Sequence, residues 1–70
     1  MKKLILMILS FFSLHAFAQK EKANSFIEKG NKYYRNHEMT LAENEYKKAL
    51  AADPGNETAG FNLANTLYRQ

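Results

Sequence analysis

Residues 23–56 read ANSFIEKGNKYYRNHEMTLAENEYKKALAADPGN. Within them Ala23, Phe26, Ile27, Gly30, Tyr33 and Tyr34 recur at three- and four-residue steps, and so do Leu41, Ala42, Tyr46, Ala49 and Leu50. That spacing is the signature of helices with one apolar face, and the period-two alternation of a strand is absent. Two amphipathic helices are predicted, joined near Asn36-His37-Glu38. The second should stop at Asp53-Pro54-Gly55, because proline disfavours helix in the residue before it and has no N–H to continue one. Asn56 then stands where a helix N-cap belongs, so a third helix is expected to begin at Glu57. Glu28 lies four residues before Lys32 and Glu43 four before Lys47, the favourable order for ion pairs on exposed helix faces.

Comparing the first and third helices at an offset of 34 aligns Asn31 with Asn65, Tyr34 with Tyr68 and Arg35 with Arg69 as identities. Ile27 with Phe61 and Tyr33 with Leu67 are apolar matches at the same offset. A 34-residue period is a repeat signal. Inside the first unit the pattern is Phe26-x3-Gly30-x2-Tyr33-x8-Ala42-x3-Tyr46-x2-Ala49-x4-Pro54. This resembles the tetratricopeptide repeat, in which small residues let two antiparallel helices approach while large ones fill the space between them. The family's small positions match Gly30, Ala42 and Ala49, its large ones Phe26, Tyr33 and Tyr46, and its turn proline Pro54.

The resemblance implies an all-α fold of antiparallel helix-turn-helix repeats, the start of an α-solenoid. Residues 23–56 form a first repeat and 57–70 the first helix of a second, in which Gly60, Ala64 and Leu67 take the corresponding positions. Two residues depart from the pattern. Lys29 stands where the family often has leucine, and His37 where a glycine usually ends the first helix. Asn36 or His37 is therefore expected in the left-handed conformation that glycine would otherwise take. One and a half repeats fall short of the roughly three that such a fold needs for stability, so the 70 residues read as the start of a longer frame or as a truncated copy.

Residues 1–18 have a different character. Met1-Lys2-Lys3 is a basic start, Leu4 to Leu14 an apolar run, and Ala16-Phe17-Ala18 a small-residue end, the layout of a secretory signal peptide. The apolar run is 11 residues, against the roughly 20 that cross a bilayer as a helix. Cleavage after Ala18 would leave Gln19 as the first residue of a product in the bacterial periplasm or outside the cell. Contact with the membrane would then be transient, during export. Lys2 and Lys3 would leave with the signal, so that eight basic residues against seven acidic ones give a net charge of +1. So small a balance argues against a dedicated nucleic-acid surface, which needs clustered charge to neutralise phosphates. With no cysteine the chain has neither a disulfide nor a thiolate metal site.

No catalytic constellation emerges. His37 is the single histidine after the signal and reads as a helix-connecting turn residue. Ser25, the single serine there, lacks the glycine-flanked turn of a nucleophile. Glu28, Glu38, Glu43, Glu45 and Asp53 are interleaved with lysines, where nothing would raise a carboxyl pKa for acid–base work. Asn56-Glu57-Thr58 fits the N-glycosylation pattern but is read as a helix cap. Neither an enzyme activity nor a cofactor or metal is expected.

The remaining signal is one of binding. Tyr33 and Tyr46 fall on core positions, whereas Tyr34 and Tyr68 recur at the period and are each followed by arginine. In the tetratricopeptide family the first helix of each repeat lines a concave groove. The positions facing it match Asn24, Ile27, Asn31, Tyr34 and Arg35, then Phe61, Asn62, Asn65, Tyr68 and Arg69. Asparagines there would hydrogen-bond an extended peptide backbone in both directions, and Tyr and Arg would bury area while keeping polar ends. The plainer reading is that Asn and Tyr simply suit such surfaces. A subclass of the family grips a partner's C-terminal carboxylate with a lysine and two asparagines. Asn31 and Asn62 match the asparagines, but Ile27 stands at the lysine.

The wording from Lys29-Gly30-Asn31-Lys32-Tyr33-Tyr34 to the closing Phe61-Asn62-Leu63-Ala64-Asn65-Thr66-Leu67-Tyr68-Arg69-Gln70 is similar to exported repeat proteins of bacterial aerotolerance operons, the Bat type. The resemblance implies a non-catalytic scaffold that binds a protein or peptide partner in an envelope complex linked to stress resistance. The alternative is the periplasmic sensor segment of a longer membrane-bound signalling protein, which a long apolar run further on would reveal.

Overall fold

A computed structural model describes the backbone of residues 2–70 and the side chains of residues 14–70. The fold is all-α: α1 spans Lys2–Arg35, α2 Met39–Ala52 and α3 Glu57–Tyr68. The first two form a helical hairpin, and α3 packs mainly on α2. Among the described residues no helix is long and apolar enough to cross a membrane. The basic start and most of the apolar run of the expected signal lie outside the residues with described side chains. From Leu14 to Lys22 every residue is exposed, and the helix continues through Ala16-Phe17-Ala18 without a break. Burial begins at Ala23, the first residue of the expected first repeat.

The end of α1 shows how a sequence without glycine makes a tight turn. His37 has φ 61°, the left-handed region. Around it the Glu38 N–H donates to the Tyr33 carbonyl at 2.9 Å and the His37 N–H to the Tyr34 carbonyl at 3.1 Å. These two bonds make a Schellman motif, which satisfies carbonyls the helix would otherwise leave open. Between the two candidates raised by the sequence, the structure selects His37. Glu38 is the N-cap of α2, and its side chain makes no capping hydrogen bond.

The second turn follows the expected chemistry. α2 ends at Ala52, and the Asp53 N–H closes its last turn onto the Ala49 carbonyl at 2.9 Å. The Asn56 Oδ1 accepts from the Ala59 N–H at 2.9 Å, which caps α3, while its Nδ2 donates to Asp53 Oδ2 at 3.3 Å.

The core is narrow. Ala23, Ile27, Ala42, Tyr46, Ala49 and Ala59 are buried, with Phe26, Tyr33, Tyr34, Leu50, Ala52 and Leu63 packed around them. Four of these six apolar side chains are alanine, so the helices meet closely but remove little apolar area per residue from water. Gly30, Ala42 and Ala49 all occupy the interface, as their sizes require. Phe26 is half-buried, with the Lys29 and Lys48 ammonium groups 5.8 Å and 5.9 Å from its ring centroid. Lys29 thus sets its ammonium over the aromatic face at cation–π distance while the residue as a whole remains exposed.

Of the two ion pairs suggested by spacing, Glu43–Lys47 forms at 2.6 Å. The Lys32 side chain is not paired with Glu28; a second pair joins Glu45 Oε1 to Lys48 at 3.1 Å instead. The other oxygen of Glu45 is buried without a partner, for which nothing in the packing gives a reason. On α3 the buried side chains are Ala59 and Thr66, and Thr66 satisfies its hydroxyl by donating to the Asn62 carbonyl at 2.7 Å. Phe61, Leu67 and Tyr68 point away from the hairpin and remain exposed.

Candidate functional site

A cavity of about 270 Å³ opens between α1 and α3, lined by Asn31, Tyr34, Arg35, Tyr46, Asn62 and Asn65. Its geometry starts from Gly30. The Tyr46 ring crosses from α2 so close to α1 that a Cβ at position 30 would lie 2.5 Å from its Cε1. With no side chain in the way, the ring passes over the α1 backbone and brings its hydroxyl to the next residue. Tyr46 OH donates to Asn31 Oδ1 at 2.6 Å. The same oxygen accepts from Asn62 Nδ2 of α3 at 3.1 Å. One amide oxygen therefore joins all three helices.

This junction is the floor of the cavity. Burial raises the Tyr46 phenol above its ordinary pKa of 10.0, and the neighbouring Tyr34 hydroxyl adds to the shift. The Arg35 charge and the Asn62 amide oppose it. The phenol is a fixed neutral donor at any ordinary pH.

The walls are less committed. Asn65 is exposed on α3, and neither its amide nor the Nδ2 of Asn31 is engaged by another described residue. Arg35 ends α1, where its charge complements the negative end of the helix dipole. Arg69 lies over the Tyr34 ring at 5.3 Å from guanidinium carbon to centroid, which places it beside a residue of the cavity wall.

Five of the ten groove residues suggested by the sequence line this cavity: Asn31, Tyr34, Arg35, Asn62 and Asn65. Arg69 joins them through Tyr34. Ile27 does not reach the cavity wall; it is 6% exposed and belongs to the core. Asn24 is exposed further back on α1, outside the cavity lining. Phe61 and Tyr68 are exposed and also outside it, Tyr68 being 92% open to solvent. Periodicity alone missed Tyr46, whose aromatic ring fills the core while its hydroxyl serves the cavity. A tyrosine where phenylalanine would pack equally well was the available signal.

Among the described residues no cluster of three or more His, Cys, Asp or Glu side chains is arranged to hold a metal ion. His37 is exposed in the turn after α1, and Ser25 is exposed on α1. The cavity offers hydrogen-bond donors and acceptors, aromatic surface and positive charge, which suits recognition of an extended polar ligand. In comparison with known proteins, the chain matches no family model, no curated protein and no solved structure.

Proposed function

We propose that this chain is a non-catalytic binding module of the tetratricopeptide type, exported to the bacterial periplasm, whose cavity between α1 and α3 holds an extended segment of a partner protein. The observation that carries the reading is the three-helix junction at Asn31 Oδ1, with Tyr46 at 2.6 Å and Asn62 at 3.1 Å. It fixes the orientation of two amides, leaving the Asn31 Nδ2 and the whole Asn65 amide presented to a ligand. An extended peptide displays one N–H and one C=O per residue, and asparagine side chains complement both. Such a site recognises backbone and takes its selectivity from whatever else lines the walls.

The repeat assignment is supported by the burial of Gly30, Ala42, Tyr46 and Ala49 and by the left-handed turn at His37. Export is supported by the signal-like layout of residues 1–18. Scaffolding within an envelope complex linked to stress resistance follows from the Bat-type resemblance and belongs to the same proposal.

The test has two arms. In a bacterial host, N-terminal sequencing of the exported product should find Gln19 first. An array of extended peptides probed with the full chain should find ligands whose binding weakens about fivefold with Asn65→Ala, the loss of an exposed hydrogen-bonding side chain. Lys29→Ala, on the far face of α1, should leave that binding unchanged. Equal binding by the Asn65 variant and the parent chain would remove the cavity from the function.

A further inference from the structure

We infer that the cavity selects acidic segments, with side-chain carboxylates of the partner held between Arg35 and Arg69; this rests on the peptide-binding reading above. The first ground is an imbalance of hydrogen-bonding groups. The lining residues Asn31, Tyr34, Arg35, Tyr46, Asn62 and Asn65 include no carboxylate. Their donors outnumber their acceptors, because the Asn31 oxygen is already occupied twice and arginine only donates. A ligand that completes this set must be rich in acceptors. An ionised carboxylate accepts at two oxygens and donates at none.

The second ground is the placement of the charges. Neither arginine is spent inside the chain: the two ion pairs among the described residues are Glu43–Lys47 and Glu45–Lys48, both made by lysines of α2. Arg69 is held against the Tyr34 ring at 5.3 Å, an arrangement that orders the guanidinium without using its N–H groups. A planar fork fixed in this way is suited to two-point contact with a carboxylate. Arg35 stands on the cavity wall beside Tyr34. The Tyr-Arg pair recurs at the 34-residue offset: Arg35 lines the cavity, and Arg69, the residue after α3, reaches its edge through the Tyr34 ring. By contrast, of the lysines around Phe26 on the other face, Lys48 is already paired with Glu45.

Fluorescently labelled hexaglutamate with an amidated C-terminus, titrated against the full chain and followed by anisotropy, tests the inference. Hexaglutamine amide is the neutral comparison, and hexaglutamine with a free C-terminus separates side-chain from terminal carboxylates. Hexaglutamate amide should bind about tenfold tighter than hexaglutamine amide, with the difference shrinking as salt is raised. Arg35→Gln and Arg69→Gln should each reduce its affinity about fivefold, the effect of an exposed charge pair. The double variant Lys22→Gln/Lys29→Gln, with the same or greater charge change on the other face, should have no effect; helicity confirms that each variant is folded.

Equal binding of the two amidated peptides, both weakened by Asn65→Ala, would overturn the acidic preference and leave the peptide groove standing. Tight binding of free-ended hexaglutamine would overturn it in favour of a terminal carboxylate. A lysine double variant as weak as the arginine variants would reduce the effect to general charge and also overturn it. Absence of binding by every peptide would remove the groove reading together with the inference.

Discussion

The Tyr46 ring lies against the α1 backbone at Gly30, in space that a Cβ at position 30 would occupy, with Cε1, Cδ1 and Cζ of the ring 2.5, 2.7 and 2.9 Å from that position. The contact sets how closely α2 approaches α1. It also carries the Tyr46 hydroxyl to Asn31, so packing and site geometry have the same origin.

Gly30→Ala is therefore expected to destabilise the chain although alanine is the better helix former. Overpacking of this kind costs about 1–3 kcal/mol, against a gain of roughly 1 kcal/mol from helix propensity. In so small a core a net loss of up to about 2 kcal/mol should be visible as reduced helicity and an earlier thermal transition. In a Tyr46→Leu background the same substitution should be much less damaging. A thermal melt of the four-member cycle reads the coupling directly; equal effects in both backgrounds would mean that the ring does not set the approach of the helices.

Tyr46→Phe isolates the hydroxyl. Its loss removes the hydrogen bond to Asn31 while Asn62 still reaches the same oxygen, and a cost of about 1 kcal/mol is expected at neutral pH. The phenol's folded pKa is raised above 10.0 by burial and by Tyr34. A raised acidic pKa means that the folded state holds the proton longer than the unfolded one. The associated stability is complete below about pH 10, declines as pH rises past the unfolded value, and is lost on passing the folded pKa. Denaturant melts across the alkaline range should show this decline in the parent chain and a shallower one in the Phe variant.

His37→Gly acts at the turn. A residue with a Cβ held at φ 61° carries a penalty that glycine does not, about 1 kcal/mol or somewhat more in the left-handed region. Because the side chain is exposed, the substitution removes little else. Thermal melts should show a gain of about 1 kcal/mol, and His37→Val should move stability in the opposite direction, since a β-branched residue tolerates that conformation least. A loss of stability in the glycine variant would point to an unrecognised role for the imidazole.

The helix ends illustrate how much was legible without coordinates. Pro54 and Gly55 terminate α2, Asn56 caps α3, and the Asn36-His37 pair contains the left-handed residue; each is a matter of backbone chemistry within a few positions of the chain. The hairpin itself was equally legible, because Gly30, Ala42, Tyr46 and Ala49 sit at helical spacing and all turned out to be buried. On the candidate site the reading was less complete. Asn31, Tyr34, Arg35, Asn62 and Asn65 share a cavity, but Ile27 went into the core and Phe61 and Tyr68 lie off the cavity. Spacing places a residue on a face to within part of a turn, and neighbouring positions on α1 divide between core and cavity within that margin.

Local chemistry in the sequence thus determined where the helices run, where they stop and which faces are apolar, because caps, turns and periodicity act over at most a few turns of chain. Only the tertiary structure decided that the Asn31 oxygen receives both Tyr46 and Asn62, that Arg69 settles on Tyr34, and that Lys48 rather than Lys32 takes the second ion pair. Asn31 and Asn62 are 31 positions apart. Their meeting depends on how closely α2 is drawn to α1, a distance fixed by a ring packed over a glycine and by nothing that either asparagine carries in its own neighbourhood of the sequence.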